Sequence, residues 1–164
     1  MQSDNFQKRR ADREDVEQPG RLLESVCGVH ADGCPDLFRL GGRKYNNESL
    51  ARMIEDHSSL IYVAEDGNGY LMEHVFYQII CHDGRGAMLR HKTMYIDDLC
   101  VGDSYLGRGG GRALYMYVQE LARREDCYNL TLNVWTCNPS AIRFYEQCGM
   151  SVYKMGMETN LLYQ

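Results

Sequence analysis

The stretch that most constrains this chain is Ile96 to Arg112, reading IDDLCVGDSYLGRGGGR. An apolar strand runs into a glycine-rich turn, and the turn opens a helix carried by Ala113, Leu114, Tyr117, Val118 and Leu121. Gly107, Gly109, Gly110 and Gly111 fall within five residues. Such a turn admits positive φ and lets a ligand approach the backbone with no Cβ in the way. The N–H groups it frees sit at a helix N-terminus, where unpaired donors and the helix dipole favour an anion such as a phosphate. A glycine turn with no ligand is the alternative, but it would cost conformational entropy for no evident gain. The turn ends Gly111-Arg112-Ala113, without the Lys and hydroxyl of a nucleotide P-loop. A dinucleotide fingerprint also fails, because the sixth position from Gly107 is Arg112 rather than glycine.

The rest of the chain reads as one domain, 1–164, long enough for a single core. A net charge of −5 argues against a general nucleic-acid binder. No apolar run is long enough to span a membrane, and the amino end MQSDNFQKRRADRED is too charged for a signal peptide. These features fit a cytoplasmic protein. Phe6 to Arg10 reads as a short strand, followed by a helix that starts at Asp12 and carries Val16, Leu22, Leu23, Val26 and Val29. Pro19-Gly20 predicts a kink or two short helices there. Ala31 to Lys44, with Gly33, Pro35, Gly41 and Gly42, reads as a loop over the surface. Asn47 is the expected N-cap of a helix from Glu48 to about His57.

Strands are expected at Leu60–Ala64, Tyr70–Cys81 and His91–Val101, joined by tight turns into an antiparallel meander. After the helix from Gly109 to Glu125, Tyr128–Trp135 reads as a strand that a right-handed crossover lays parallel to the His91–Val101 strand. Asn138 and Pro139 start the last helix and Gly149 ends it. One or two more strands are expected between Met150 and Leu162. The fold class is therefore α+β, a mixed, mostly antiparallel sheet of six or seven strands flanked by about four helices.

Within that sheet, Asp97 and Asp98 stand in an apolar strand, where a carboxylate is costly unless it is paired, solvated or used. Strand alternation sends the two to opposite faces. The seven cysteines, at 27, 34, 81, 100, 127, 137 and 148, suit neither a zinc site nor a disulfide framework. They read mostly as small reduced core residues, with Cys100 either packed in the core or a nucleophile. The five histidines are scattered without metal-ligand spacing, so no metal is expected. His74 and Tyr77 are candidates to line an acceptor pocket.

Two further signatures complete the pattern. Leu106-Gly107-Arg108-Gly109-Gly110-Gly111 resembles the pyrophosphate-binding motif of the GNAT superfamily, the acyl-coenzyme A dependent N-acyltransferases. That motif reads Arg or Gln, two residues, Gly, one residue, then Gly or Ala. Downstream, Asn138-Pro139-Ser140-Ala141, Phe144-Tyr145-Glu146 and Gly149-Met150 resemble its second signature, and Pro35-Asp36-Leu37-Phe38-Arg39 resembles the amino end of many bacterial members. Leu106 departs from the motif, which has a polar residue there.

The resemblance implies acetyl-CoA as co-substrate and a primary amine of a small molecule or peptide as acceptor. It implies that the backbone of Leu99, Cys100 and Val101 pairs with the pantetheine arm, that Gly107, Arg108, Gly109, Gly110, Gly111 and Arg112 hold the pyrophosphate, and that Asn138 contacts the coenzyme. It also makes Tyr145 the general acid toward the coenzyme thiolate and Asp97 the base, with Asp98 second. The chemistry needs such groups, because an amine must lose a proton to attack and a departing thiolate benefits from one. A non-catalytic acyl-CoA sensor and a protein amino-terminal acetyltransferase are the alternatives. Exposed apolar residues near the C-terminal strands suggest a homodimer.

Overall fold

The computed structural model describes residues 7–56, 59–107 and 109–161. Strand β1 (Gln7–Arg10) leads into a 3-10 turn, Arg13–Val16, which Asp12 caps by accepting the Glu14 N–H. Asp15 closes the capping box by accepting the Asp12 N–H at 2.7 Å. Arg9 ties this start to the sheet, with Nη1 2.7 Å from Asp15 and Nη2 2.8 Å from Glu65. Helix α1 (Glu17–Gly33) is continuous, contrary to the expected break. Pro19 lies in its first turn, where the missing N–H would have had no helical partner. The loop expected from Ala31 consequently begins only at Cys34. Helix α2 (Asn47–Glu55) is capped by Asn46, one residue earlier than expected. Asn46 Oδ1 accepts the Ser49 N–H at 2.8 Å, while the Asn47 side chain accepts from Arg43 instead.

Strands β2 (Leu60–Glu65), β3 (Leu71–His82) and β4 (His91–Val101) form the expected meander. Helix α3 (Gly110–Arg124) follows the glycine turn, β5 (Asn129–Leu132) returns parallel to β4, and α4 (Pro139–Gln147) ends at Gly149, whose φ is +90°. The sheet order is β1-β2-β3-β4-β5, antiparallel except for the last pair. Among the described residues the sheet has five strands, not six or seven. β5 stops at Leu132 instead of reaching Trp135, and Ser151–Leu161 forms no strand. The ladder between β4 and β5 ends at Ile96–Leu132, so a closing strand has little of its own sheet to pair with.

The two faces of β3 carry two cores. Phe76 packs with Leu23 of α1 and with Leu50 and Ile54 of α2. Val75 and Tyr77 pack with Leu114, Tyr115 and Val118 of α3, and Phe144 and Tyr145 of α4 join that side. The sheet is thus sandwiched between α1 and α2 on one face and α3 and α4 on the other. Among the described residues no helix is long and apolar enough to cross a membrane.

Candidate active site

The site begins with an irregularity in β4. Phe76 pairs with Asp98 and Tyr77 with Ile96, which leaves Asp97 as the extra residue of a β-bulge. The bulge breaks the alternation, so both carboxylates turn toward the α1 and α2 side rather than to opposite faces. Asp97 accepts a 2.6 Å hydrogen bond from the Tyr45 hydroxyl and pairs with Lys44 Nζ at 2.9 Å. Lys44 Nζ also donates to the Asp97 carbonyl oxygen at 2.7 Å. Asp98 lies 2.5 Å from Nε2 of His74, which is fully buried on β3. Nε2 faces a carboxylate and so carries a hydrogen. Nδ1 has no hydrogen-bond partner among the described residues.

Beyond Ile96 β4 has no β5 partner, because β5 ends at Leu132. Leu99, Cys100 and Val101 remain paired with β3 on one side, and their other backbone edge has no ladder to β5. That bare edge runs on toward the glycine turn. Gly107 has φ +76° and Gly109 +85°, and a Cβ at either would meet nothing within 4 Å. Gly110 and Gly111 sit closer: a Cβ on Gly110 would fall on Glu73 Oε1, and one on Gly111 would lie 2.9 Å from Val101 Cγ2. Gly109 gives α3 no side-chain cap, and its first turn holds no acidic residue. Its first N–H donors are therefore left for an anion, as the sequence implied. Arg108 lies outside the described residues. Arg112 is exposed on the first turn of α3, its guanidinium 3.4 Å from the Gln147 carbonyl oxygen at the end of α4.

Asn138 uses its side-chain oxygen to cap α4, accepting the Ala141 N–H at 3.1 Å, so only its amide NH2 is left for another contact. Tyr145 sits half-buried on α4 between the rings of Phe144 and Tyr115. Burial raises its phenol above the usual range, and Asp98 and Cys100 push the same way. Cys100 is packed inside, its Sγ 3.5 Å from the Leu22 carbonyl oxygen. Burial, followed by nearby Asp98, raises its thiol as well, the opposite of what a nucleophilic cysteine requires.

A cleft of about 220 Å³ opens beside the bulge, lined by Tyr45, Met53, Ile61, Phe76, Tyr77 and Asp97 among others. On the far side of Asp98, the loop after α1 is pinned by an aromatic chain in which Phe38 meets His30 and, edge-on, Trp135. Cys34 and Cys137 form a disulfide there, exceptions to the expectation that most of the cysteines are small reduced core residues. The two stand 103 residues apart, and only the approach of the loop after α1 to the loop before α4 brings them together. Gly33 permits that approach, since a Cβ on it would lie 2.7 Å from the Cys137 carbonyl oxygen. Of the remaining five cysteines only Cys100 is buried. Thiol titration of the denatured, unreduced protein is expected to find five reactive thiols. Seven would show that the pair is open.

His74, Lys44 and Tyr45 escaped the sequence reading as members of the charged cluster, apart from His74 as a pocket-lining candidate, as did Glu73, buried on the other face of β3 beneath the first turn of α3. Glu73-His74 is a polar pair inside an apolar strand, the very signal that drew attention to Asp97-Asp98. Lys44 and Tyr45 carried no such mark. Among the described residues no group of three or more His, Cys, Asp or Glu could hold a metal ion.

Comparison with known proteins agrees with this geometry. A stretch of the chain is 33% identical over 67 residues to a glucosamine 6-phosphate N-acetyltransferase of Trypanosoma brucei brucei, 41% of this chain and 44% of that protein. Another is 35% identical over 65 residues to the enzyme of the same name from Candida albicans, 40% of each. The matched stretch spans less than half the length of these curated relatives. Over nearly the whole chain, the crystal structure of a mutant Bacillus halodurans protein superposes with a TM-score of 0.89 at 26% identity, covering 94% of this chain and 99% of that one. The glucosamine-6-phosphate N-acetyltransferase of Arabidopsis thaliana shares the fold, with a TM-score of 0.64 at 20% identity over 96% and 99% of the two chains. The profile of the acetyltransferase (GNAT) family matches residues 30–150, most of the sequence, and with the unpaired β4 edge and the glycine-started helix in place the chain belongs to that family.

Proposed function

We propose that this protein transfers an acetyl group from acetyl-CoA to a primary amine of a small molecule or peptide, by direct attack in a ternary complex. The observation that carries the reading is the unpaired edge of β4 beyond the end of β5, which runs on toward an uncapped helix N-terminus. A pantetheine arm fits the free edge of Leu99, Cys100 and Val101. A pyrophosphate fits the N–H groups of the turn from Gly107 to Gly111, with Arg112 and Asn138 at its flanks. Bound there, acetyl-CoA supplies the activated acyl group.

The chain's own groups do the rest. Asp97, on the bulge at the mouth of the cleft, accepts a proton from the amine, directly or through water, and Asp98 is the alternative base. Lys44 and Tyr45 hold Asp97 in place, and His74 positions Asp98. Tyr145 keeps its proton and can give it to a leaving sulfur. The single acidic group among aromatic walls suits an amine-bearing acceptor. The partial likeness to glucosamine 6-phosphate N-acetyltransferases makes an amino-sugar phosphate one member of that class to try first.

A cytoplasmic setting belongs to the same reading. Disulfides persist mainly in oxidising surroundings, so the Cys34–Cys137 link is the observation that weighs against that setting. Self-association as a homodimer also belongs to it, supported by the exposed apolar C-terminal residues. The deciding measurement combines acetyl-CoA calorimetry with free-thiol release across amino sugars, polyamines, aminoglycosides, amino acids and peptides. Binding with amine-dependent release is the expected outcome. Tight binding with no release would favour a sensor, equal release from bulk peptides an amino-terminal acetyltransferase, and no binding would end the proposal.

A further inference from the structure

Glu73 stands where the two parts of the proposed coenzyme site meet. On β3 it pairs with Val101, the last residue of β4 and part of the bare strand edge. Its carboxyl presses on Gly110, the first residue of α3, where a Cβ would fall on Oε1 and lie 2.9 Å from the carboxyl carbon. Glu73 is 3% exposed, and among the described residues no hydrogen bond or ion pair reaches its carboxyl. A buried carboxyl without a partner is costly when charged. Few charged or titratable groups share its face of the sheet: Lys8 of β1, Tyr62 of β2 and Tyr117 of α3. Lys8 Nζ is directed at the Ala113 carbonyl oxygen and the Tyr117 ring. The β2 and β4 partners of Glu73, Ala64 and Val101, carry no charge. Cys100, next along β4, faces α1, and Arg112 of α3 reaches to the Gln147 carbonyl oxygen. In the turn after β4, Asp103 and Tyr105 meet Ser25 and Asp66.

We propose that Glu73 is a positioning residue for the coenzyme turn, supporting the start of α3 as a neutral acid, so that acetyl-CoA binding is coupled to protonation of its carboxyl. The inference rests on the reading that places the pyrophosphate at Gly107 to Gly111. The N–H donors at the start of α3 have no side-chain cap and serve whichever anion is nearest. Ionised Glu73 is an anion beneath that same turn. It draws the donors inward and repels a pyrophosphate outside. Protonated, it does neither. Burial, opposed by the Lys8 ammonium, brings its carboxyl up to about 7 in the free protein. A bound pyrophosphate adds negative charge close by and raises it further, by about one unit. Affinity is therefore full below about pH 7 and falls above it, where the free protein loses a proton that the complex retains. It levels off once both forms have lost that proton.

The test is acetyl-CoA calorimetry on the full chain from about pH 6 to about pH 9, in buffers of different ionisation enthalpy. Over that range the wild-type Kd is expected to rise about tenfold more than the Kd of Glu73→Gln. Near pH 7.5 the wild type should take up about half a proton more on binding than Glu73→Gln does. The coenzyme's own phosphate monoester titrates at about pH 6 in both experiments, so the difference belongs to Glu73. Lys8→Met supplies the sign. Without the ammonium the carboxyl keeps its proton longer, and the fall in affinity should move to higher pH. A merely structural Glu73 would change the Kd by the same factor at every pH. Parallel curves for the wild type and Glu73→Gln, equal proton uptake, or a Lys8→Met curve that stays in place or moves to lower pH would each overturn the coupling. Absence of acetyl-CoA binding in all three proteins would overturn the coenzyme reading, and the coupling with it.

Discussion

Tyr145→Phe is expected to lower amine-dependent thiol release by about a hundredfold or more, with acetyl-CoA affinity nearly unchanged. Loss of a positioned proton donor typically costs on the order of 10²–10⁴ in rate. The substitution removes only the hydroxyl, so the ring keeps its packing against Phe144 and Tyr115. The phenol is raised by burial first, with Asp98 adding to it, so it stays protonated through the neutral range and is suited to donate. Asp97→Asn should lower turnover by a similar factor for the opposite reason, since an amide cannot accept the amine's proton. It keeps a hydrogen-bond acceptor for Tyr45 but loses the ion pair with Lys44. Steady-state kinetics beside calorimetry separate the two effects: a fall in kcat with an unchanged acetyl-CoA Kd is the expected signature. Wild-type turnover in both variants would remove Tyr145 and Asp97 from the chemistry.

How far the sequence could be read depended on how local the physics was. The glycine turn, the Asn138-Pro139 start of α4 and the Gly149 stop are written in adjacent residues, and each stands where it was expected. β4 was legible to the residue, because its apolar run is bounded by turn-forming segments. The bulge at Asp97 was not, since register belongs to two strands together and not to one. It reversed the expectation that Asp97 and Asp98 face opposite ways, and so changed the site from one carboxylate to two. The Cys34–Cys137 link was hidden for the same reason, because two loops had to be placed before the pair could be seen. No strand forms over Ser151–Leu161, because β5 ends at Leu132 and offers little edge to join.

Glu73→Gln is expected to stabilise the protein at pH 8 by up to about 3 kcal/mol and to leave it nearly unchanged near pH 4.5. Glu73 is 3% exposed on β3, beneath the first turn of α3. Burial pushes its carboxyl up to about 7 from an ordinary 4.5, although the Lys8 ammonium pulls the other way. Lys8 is held off on α3, its Nζ 3.3 Å from the Ala113 carbonyl oxygen and over the Tyr117 ring. The folded chain thus keeps a proton that the unfolded chain releases. The associated stability is complete below about pH 4.5, falls as pH rises toward 7, and has been lost above it. A shift of that size corresponds to about 3 kcal/mol at 1.36 kcal/mol per pH unit. For a chain of this length this is roughly 6–12 °C in Tm. Glutamine keeps the shape without the titration, so thermal melts from pH 4.5 to 8 should show the variant's advantage growing across that window. A constant difference would mean that Glu73 is solvated or paired in the folded protein. An advantage that grows with pH would mean that the wild type carries an uncompensated carboxylate under the same helix N-terminus that is left open for an anion. The glycine at Gly110, where a Cβ would fall on the carboxyl oxygen, is then what allows that helix to start so close to a buried acid.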